Sequence, residues 1–353
     1  MNSSYSGIIE KYRSYLAIPA GLPAITLLEG NTPLIPLHSL SRQMGKNFDL
    51  WVKYEGVNPT GSFKDRGMTV AISEAFARGA RISICASTGN TAASAAAYSA
   101  RAGMRSIVII PAGKVAAGKL AGAIAYGADV IQIDGSFDQA LDLVVALSEK
   151  HPIALVNSLN PFRLEGQKTA AFEICDVLGT TPDWLALPVG NAGNITAYWM
   201  GFKQYHAEKA ARLPHILGVQ ASGSAPLVLG HPVDLPDTIA TAIRIGRPAR
   251  GEEALMAASE SGGRIIAVSD DEILSAQRLL ASTGIWVEPA SAASLAGLIN
   301  QVKANKIDLE GKQVVLVCTG HGMKDPDIIM QGFTKAKVLA PELQTLERYI
   351  LNG

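Results

Sequence analysis

Asn58-Pro59-Thr60-Gly61-Ser62-Phe63-Lys64-Asp65-Arg66-Gly67 follows the apolar, β-favouring run 48–54 and decides how the chain reads. Pro-Thr-Gly supplies turn residues, and Ser62 with Asp65 three positions on has the form of an acidic capping box that starts a helix. The unit is therefore strand, turn, helix, with Lys64 in the first helical turn. An ammonium there faces the positive end of the helix dipole, which favours the neutral amine. A neutral lysine amine is a nucleophile toward aldehydes. The plain alternative is an exposed lysine on an amphipathic helix, the usual place for this residue type.

The same rhythm extends outward from that stretch. Strand-like runs at 50–54, 82–86, 106–110, 130–133 and 153–156 alternate with helical patterns, the alternation of a parallel α/β sheet. A second series has strands at 184–189, 216–220, 265–268 and 314–318, with helices at 193–211, 270–282 and 289–303. A chain of 353 residues accommodates about two such units. Its 48% hydrophobic and 18% charged content suits strands buried on both faces. Residues 8–16 read as a short amphipathic helix, and 28–34 as a polar turn joining two strands. The stretch 221–251 breaks the rhythm with Pro-centred turns, and a loop of that length is expected to cover a site or a subunit contact.

Balanced charge, 31 Lys plus Arg against 31 Asp plus Glu, leaves no electrostatic footprint for nucleic acid or an anionic membrane. Cys85, Cys175 and Cys318 are odd in number, far apart and flanked by apolar residues. They read as reduced core thiols, with neither CxxC spacing nor a metal-ligand pattern. The first residues carry no basic segment followed by an apolar one, and no run approaches membrane-spanning length. The expectation is a cytoplasmic protein.

In open parallel sheets, ligands bind outside the carboxyl ends of the strands. The unusual loops fall there. Ser87-Thr88-Gly89-Asn90-Thr91 opens an Ala-rich helix, and its hydroxyls suit an anion and helix capping equally. Gly190-Asn191-Ala192-Gly193-Asn194 also opens a helix, and its two glycines favour an anion cradle over a bare tight turn. It matches neither the dinucleotide GxGxxG pattern nor the P-loop. Thr319-Gly320-His321-Gly322-Met323-Lys324-Asp325 puts Thr319 at a strand tip facing the cleft. His321, beside glycines, reads as structural or solvent-facing rather than as a general base. Asn157-Ser158-Leu159-Asn160-Pro161-Phe162-Arg163 offers hydroxyl, amide and guanidinium groups suited to a second phosphate, with Lys114 as an added point charge. Both also fit a solvated surface.

Taken in order, these motifs resemble those of fold-type II pyridoxal-phosphate enzymes. Ser62-Phe63-Lys64-Asp65-Arg66 looks like that family's lysine motif, and Ser87-Thr88-Gly89-Asn90 like its asparagine loop. Gly190-Asn191-Ala192-Gly193-Asn194 looks like its phosphate loop, and Cys318-Thr319-Gly320-His321-Gly322 like its ring-nitrogen motif. Within the family, Glu29-Gly30-Asn31-Thr32-Pro33-Leu34, Thr241-Ala242-Ile243-Arg244-Ile245-Gly246 and Gly320-His321-Gly322-Met323-Lys324-Asp325-Pro326 are similar to the threonine synthase group. The likeness runs from about residue 29 to 327.

The resemblance implies an α/β fold of two doubly wound, mostly parallel sheet domains, tryptophan synthase beta-like. Residues 50–156 form the smaller domain, and 1–49 with 157–353 the larger. It implies pyridoxal 5'-phosphate bound as a Schiff base to Lys64, its phenolic oxygen bonded by Asn90, its phosphate cradled by Gly190, Asn191, Ala192, Gly193 and Asn194, and its ring nitrogen against Thr319. A neutral hydroxyl there, unlike a carboxylate, does not stabilise a protonated ring nitrogen, so a weakened electron sink is expected. The implied reaction turns O-phospho-L-homoserine and water into L-threonine and phosphate, with the freed Lys64 amine moving protons at Cα and Cβ. Ser87, Thr88, Gly89 and Asn90 are expected to hold the substrate carboxylate, and Thr88, Lys114, Ser158 and Arg163 its phosphate. A homodimer is expected. The rivals are a serine or threonine dehydratase-like eliminating lyase, a dinucleotide-dependent oxidoreductase and a non-catalytic ligand sensor.

Overall fold

The computed structural model describes residues 4–45, 47–113, 117–331 and 338–351. Two sheets carry the fold. The larger has the order β1-β2-β10-β7-β8-β9, formed by Leu34–Pro36, Asp49–Tyr54, Gln313–Cys318, Trp184–Pro188, His215–Ala221 and Arg264–Val268. The smaller has the order β5-β4-β3-β6, formed by Asp129–Ile133, Arg105–Pro111, Ile82–Ala86 and Ile153–Leu155. All described ladders are parallel except β1 with β2.

Alternation along the strands sends side chains to both faces, and each face is covered by helices. In the larger sheet, Leu50, Val52, Val314 and Leu316 pack with helices Asp270–Ser282 and Pro289–Lys303. Val315, Val317, Leu185 and Leu187 pack on the opposite side with helices Pro161–Leu178 and Gly193–Lys209. In the smaller sheet, Cys85, Val108 and Ile110 meet helices Lys64–Ala77 and Asn90–Arg101, while Ile84, Ala86 and Ile109 meet Ala140 and Val144 of helix Phe137–Lys150. Each fully buried Leu, Ile or Val contributes about 1.5–3 kcal/mol relative to exposure. Both sheets are thus doubly wound, as expected.

The boundary expected at residue 50 needs correction. Strand β2 pairs with β10 from Leu50↔Val314 to Tyr54↔Cys318, so it belongs to the larger sheet. Five buried or half-buried residues of the run, after an exposed Asp49, read equally well in either sheet, because alternation does not name the neighbouring strand. The turn read at 28–34 ends in β1, whose Leu34 pairs with Lys53. The segment 8–16 becomes helix Ile8–Tyr12 and a 3-10 turn Arg13–Tyr15.

One helix crossing sets the geometry of everything nearby. Helices Lys64–Ala77 and Pro161–Leu178 meet glycine to glycine: a Cβ on Gly67 would lie 2.8 Å from the Arg163 carbonyl oxygen, and one on Gly166 would overlap the Arg66 carbonyl. Only glycine permits this approach. It brings Arg163 beside Lys64, and Glu173 beside Arg66.

Candidate active site

The carboxyl ends of β2, β3, β7 and β10 lead into the loops that carry Lys64, Asn90, Gly190 and Thr319. Phe63 N donates to Thr319 O at 2.9 Å, and Ser62 bridges to Gly320, so the first and last of these loops are tied directly. The helix after Phe63 starts differently from the expected capping box. Phe63 is the N-cap without a side-chain cap, and the Ser62 hydroxyl is buried with no partner among the described residues. Asp65 turns back instead. Its Oδ2 accepts from Thr60 N at 2.7 Å, and its Oδ1 accepts from the Thr60 and Ser94 hydroxyls, each at 2.6 Å. A buried carboxylate gathers donors wherever the packing supplies them, and here tertiary packing outcompetes the local cap. Burial pushes Asp65 up to about 6, with the two hydroxyl bonds opposing.

Lys64 is half-buried, with Nζ 4.4 Å from the centre of the Phe63 ring. Burial, then the positive charge of Arg163, holds its pKa down to about 7, while Glu288 opposes. A large share of this amine is therefore neutral near pH 7, the form that attacks an aldehyde.

Asn90 and Thr319 converge on one carboxylate. Asn90 Nδ2 donates to Glu288 Oε2 at 3.0 Å, and the Thr319 hydroxyl donates to Glu288 Oε1 at 3.3 Å. Glu288 immediately precedes helix Pro289–Lys303 and is 3% exposed. Burial pushes its pKa up; the Asn90 bond, the charge of Lys324, the Thr319 bond and Lys64 pull it down. Lys324 Nζ donates to Thr60 O at 3.1 Å. His321 Nδ1 accepts from Met323 N at 3.1 Å, and its ring centre lies 6.3 Å from that of Tyr54 and 5.6 Å from that of Trp286.

The Gly190 loop forms a cradle. Helix Gly193–Lys209 begins after Ala192, which holds a φ of 63° and offers no side-chain cap, so the first N–H groups are left for another acceptor. A Cβ on Gly190 would lie 3.0 Å from Ile243 Cα, in the turn Thr241–Ile243. The irregular stretch 221–251 therefore backs this loop. Asn194 Oδ1 is buried without a partner among the described residues. An uncapped 17-residue helix and a glycine-bounded cradle fit a phosphate.

A buried guanidinium lies near Lys64. Arg163 is 1% exposed, donates through Nη1 to Val156 O at 3.1 Å, and leaves Nε without a partner. It makes no ion pair among the described residues, and burial lowers its pKa to about 10. Asn157 has a structural task, clamping Ala86 through both ends of its amide at 2.9 and 3.0 Å. Ser158 is half-buried, and its carbonyl accepts from Arg250 Nε at 3.4 Å. Ser87, Thr88 and Gly89 are half-buried, and no side chain caps helix Asn90–Arg101, so these hydroxyls are not spent on capping. Lys114 lies outside the described residues.

Sequence reasoning did not single out Glu288, Ser291 or Lys324. Glu288 reads locally as an acidic residue at a helix start, which is common for electrostatic reasons alone. A glutamate between the apolar 285–287 and an Ala/Ser helix is the one signal that marks it.

Comparison with known proteins agrees with this geometry. A family described as pyridoxal-phosphate dependent enzyme matches residues 25–320. Threonine synthase of Synechocystis sp. is 57% identical over 98% of this chain and 90% of its own length. Threonine synthase of Halalkalibacterium halodurans is 56% identical over 93% of this chain and 92% of its own. Among solved structures, a processed threonine deaminase isoform from Solanum lycopersicum superposes with a TM-score of 0.72 at 23% identity, covering 93% of this chain and 89% of that one, a likeness of fold. The chain belongs to the pyridoxal-phosphate dependent enzymes and, within them, to the threonine synthases.

Proposed function

We propose that the chain converts O-phospho-L-homoserine and water into L-threonine and phosphate, with Lys64 carrying the cofactor and then moving the protons. The carrying observation is the pair Lys64 and Arg163: an amine held to about 7 beside a buried guanidinium with no anionic partner among the described residues. Such a guanidinium calls for an anion from outside the chain.

Bound pyridoxal phosphate supplies an electron-withdrawing ring that takes up charge developing at the substrate. The residues assigned to hold it are Lys64 by covalent attachment, Asn90 at the phenolic oxygen, Gly190 to Asn194 at the phosphate and Thr319 at the ring nitrogen. The Lys64 amine, when free, would take the proton from Cα and then one from Cβ as the Cγ–O bond breaks and phosphate leaves with its electron pair; a proton would be returned to Cγ, water would add its oxygen to Cβ, and a proton would be returned to Cα. Ser87 to Asn90 orient the substrate carboxylate, and Arg163, with Thr88, Ser158 and Lys114, its phosphate.

A dehydratase acting on a hydroxyl leaving group has no need of the unpaired Arg163. The test is phosphate release from O-phosphohomoserine against ammonia release from threonine, for wild type, Lys64→Ala and Arg163→Met. Phosphate release that needs both residues supports the reading; ammonia release alone overturns it in favour of a dehydratase-like lyase. The reading also carries a homodimer, tested by sedimentation, and a reducing compartment, supported by three buried free thiols. Among the described residues, no helix is long and apolar enough to cross a membrane.

A further inference from the structure

Asp65, the residue after Lys64, spends its carboxylate on two neighbours instead of on its own helix start. Its Oδ2 meets Thr60 N at 2.7 Å, and its Oδ1 meets the Thr60 and Ser94 hydroxyls, each at 2.6 Å. Asp65 and Ser94 are fully buried. Thr60 lies in the loop between β2 and helix Lys64–Ala77, and its carbonyl accepts from Lys324 Nζ at 3.1 Å, so the residue is held at both ends. Ser94 stands on helix Asn90–Arg101, four positions after Asn90, and the two side chains therefore share a face of that helix.

Apolar packing does little to set the register between these two helices. They share one core cluster, to which helix Asn90–Arg101 contributes Ala92, Ala95, Ala96, Ala97 and Tyr98. Methyl side chains make low ridges and shallow grooves, which fix how closely two helices approach better than where along its axis one sits on the other. Farther along, Tyr98 donates to Glu29 at 2.9 Å and Ser99 meets Ser83 at 2.7 Å, which ties the far half of the helix to the N-terminal segment and to β3. Among the described residues, Asp65 to Ser94 is the one side-chain hydrogen bond between the lysine helix and the Asn90 helix.

We propose that Asp65 is a positioning residue for the reaction: by gripping Thr60 and Ser94 together, it sets the reach of the Lys64 amine relative to the Asn90 amide. This rests on the assignment of Lys64 and Asn90 to one cofactor ring. Asn90 has a second reference in Glu288, which its Nδ2 meets at 3.0 Å, but Glu288 precedes helix Pro289–Lys303 and faces Thr319. That bond aligns the amide with the larger sheet. The bond from Asp65 to Ser94 aligns it with the lysine, and the lysine helix forgoes a side-chain cap for it.

The test is the visible absorbance of the reconstituted holoenzyme, read beside steady-state kinetics, for wild type, Asn90→Ala, Ser94→Ala and the double variant. Ser94→Ala releases the grip and adds one alanine to an alanine-rich helix, so folding is retained. An amide that donates to the phenolic oxygen biases the bound cofactor between its long- and short-wavelength forms. Asn90→Ala is expected to shift that balance, and Ser94→Ala to shift it the same way by less, with kcat lower by roughly 10- to 10²-fold, the cost of a misplacement of up to about 1 Å. In absorbance the double variant is expected to match Asn90→Ala alone, because Ser94 acts through Asn90. A Ser94→Ala holoenzyme with wild-type absorbance overturns the proposal, whatever its kcat, and so does a Ser94→Ala shift that adds in full to that of Asn90→Ala. Unchanged absorbance in Asn90→Ala removes the Asn90 assignment and the proposal with it, while Lys64 stands. A wild type that stays colourless and unmodified at Lys64 defeats the proposed function itself. Asp65→Asn, which leaves one acceptor oxygen for three donors, is expected to shift absorbance and kcat at least as far as Ser94→Ala. No shift there overturns the proposal; should that variant fail to fold, the Ser94 and Asn90 cycle decides alone.

Discussion

Lys64 and Arg66 stand two residues apart on one helix and have opposite electrostatic fates. Arg66 is fully buried in a cluster of two cations and two carboxylates: its Nε donates to Glu55 Oε2 at 2.7 Å, its Nη2 to Glu173 Oε2 at 2.6 Å, and Lys53 Nζ donates to the same Glu173 oxygen at 2.7 Å. Thr32 and Thr169 take up remaining capacity. Lys64 instead faces a second cation, Arg163, and the nearby carboxylate of Glu288 is hydrogen-bonded to Asn90 and Thr319. Completed pairing makes the first charge inert. Withheld pairing makes the second a neutral amine, available for chemistry.

The comparison breaks most visibly in activity. Lys64→Ala is expected to lower turnover of O-phosphohomoserine by at least about 10³-fold, because nucleophile and proton carrier vanish together. Its unfolding midpoint in urea is expected to stay near wild type, since Lys64 makes no ion pair among the described residues. Arg66→Met should behave in the opposite way. Removing one partner of a buried cluster leaves Glu55 without its cation and Glu173 with Lys53 alone, a loss of roughly 3–5 kcal/mol in urea unfolding. Equal stability losses in the two variants would erase the distinction.

Gly320→Ala sharpens it from the other side. The added methyl displaces the Glu288 carboxylate without touching Lys64, and a misplacement of that order costs roughly 10²-fold in kcat/KM. Steady-state kinetics with folding checked by circular dichroism decide it.

The smallest effect is a slope. Lys64 titrates at about 7 in the folded chain against 10.5 ordinarily, so between those values the unfolded chain binds more protons and stability rises with pH. Cofactor-free wild type should therefore gain more stability across that window than Lys64→Met. Glu173 runs on the acid side: its cationic partners hold it well below the usual carboxylate range, despite burial. Its contribution is present above that range and is lost as pH falls toward the depressed value. Glu173→Gln should flatten the acid limb and leave the alkaline one unchanged.

Local patterning settled more than the element list. Strand Ile82–Ala86 and helices Asp270–Ser282 and Pro289–Lys303 have the bounds that apolar period and capping residues predict, because those signals arise between residues a few positions apart. The same holds for the glycine loop after β7 and for a lysine between strand and helix. What folding alone decided is which of these segments are neighbours. β2 joined the larger sheet, Asp65 preferred Thr60 and Ser94 to its own helix cap, and Glu288 reached Asn90 across 198 residues of chain. Local signals decay within a turn or two of backbone. Convergence of distant side chains depends on strand order and on the glycine-to-glycine crossing of two helices, and no single segment encodes either.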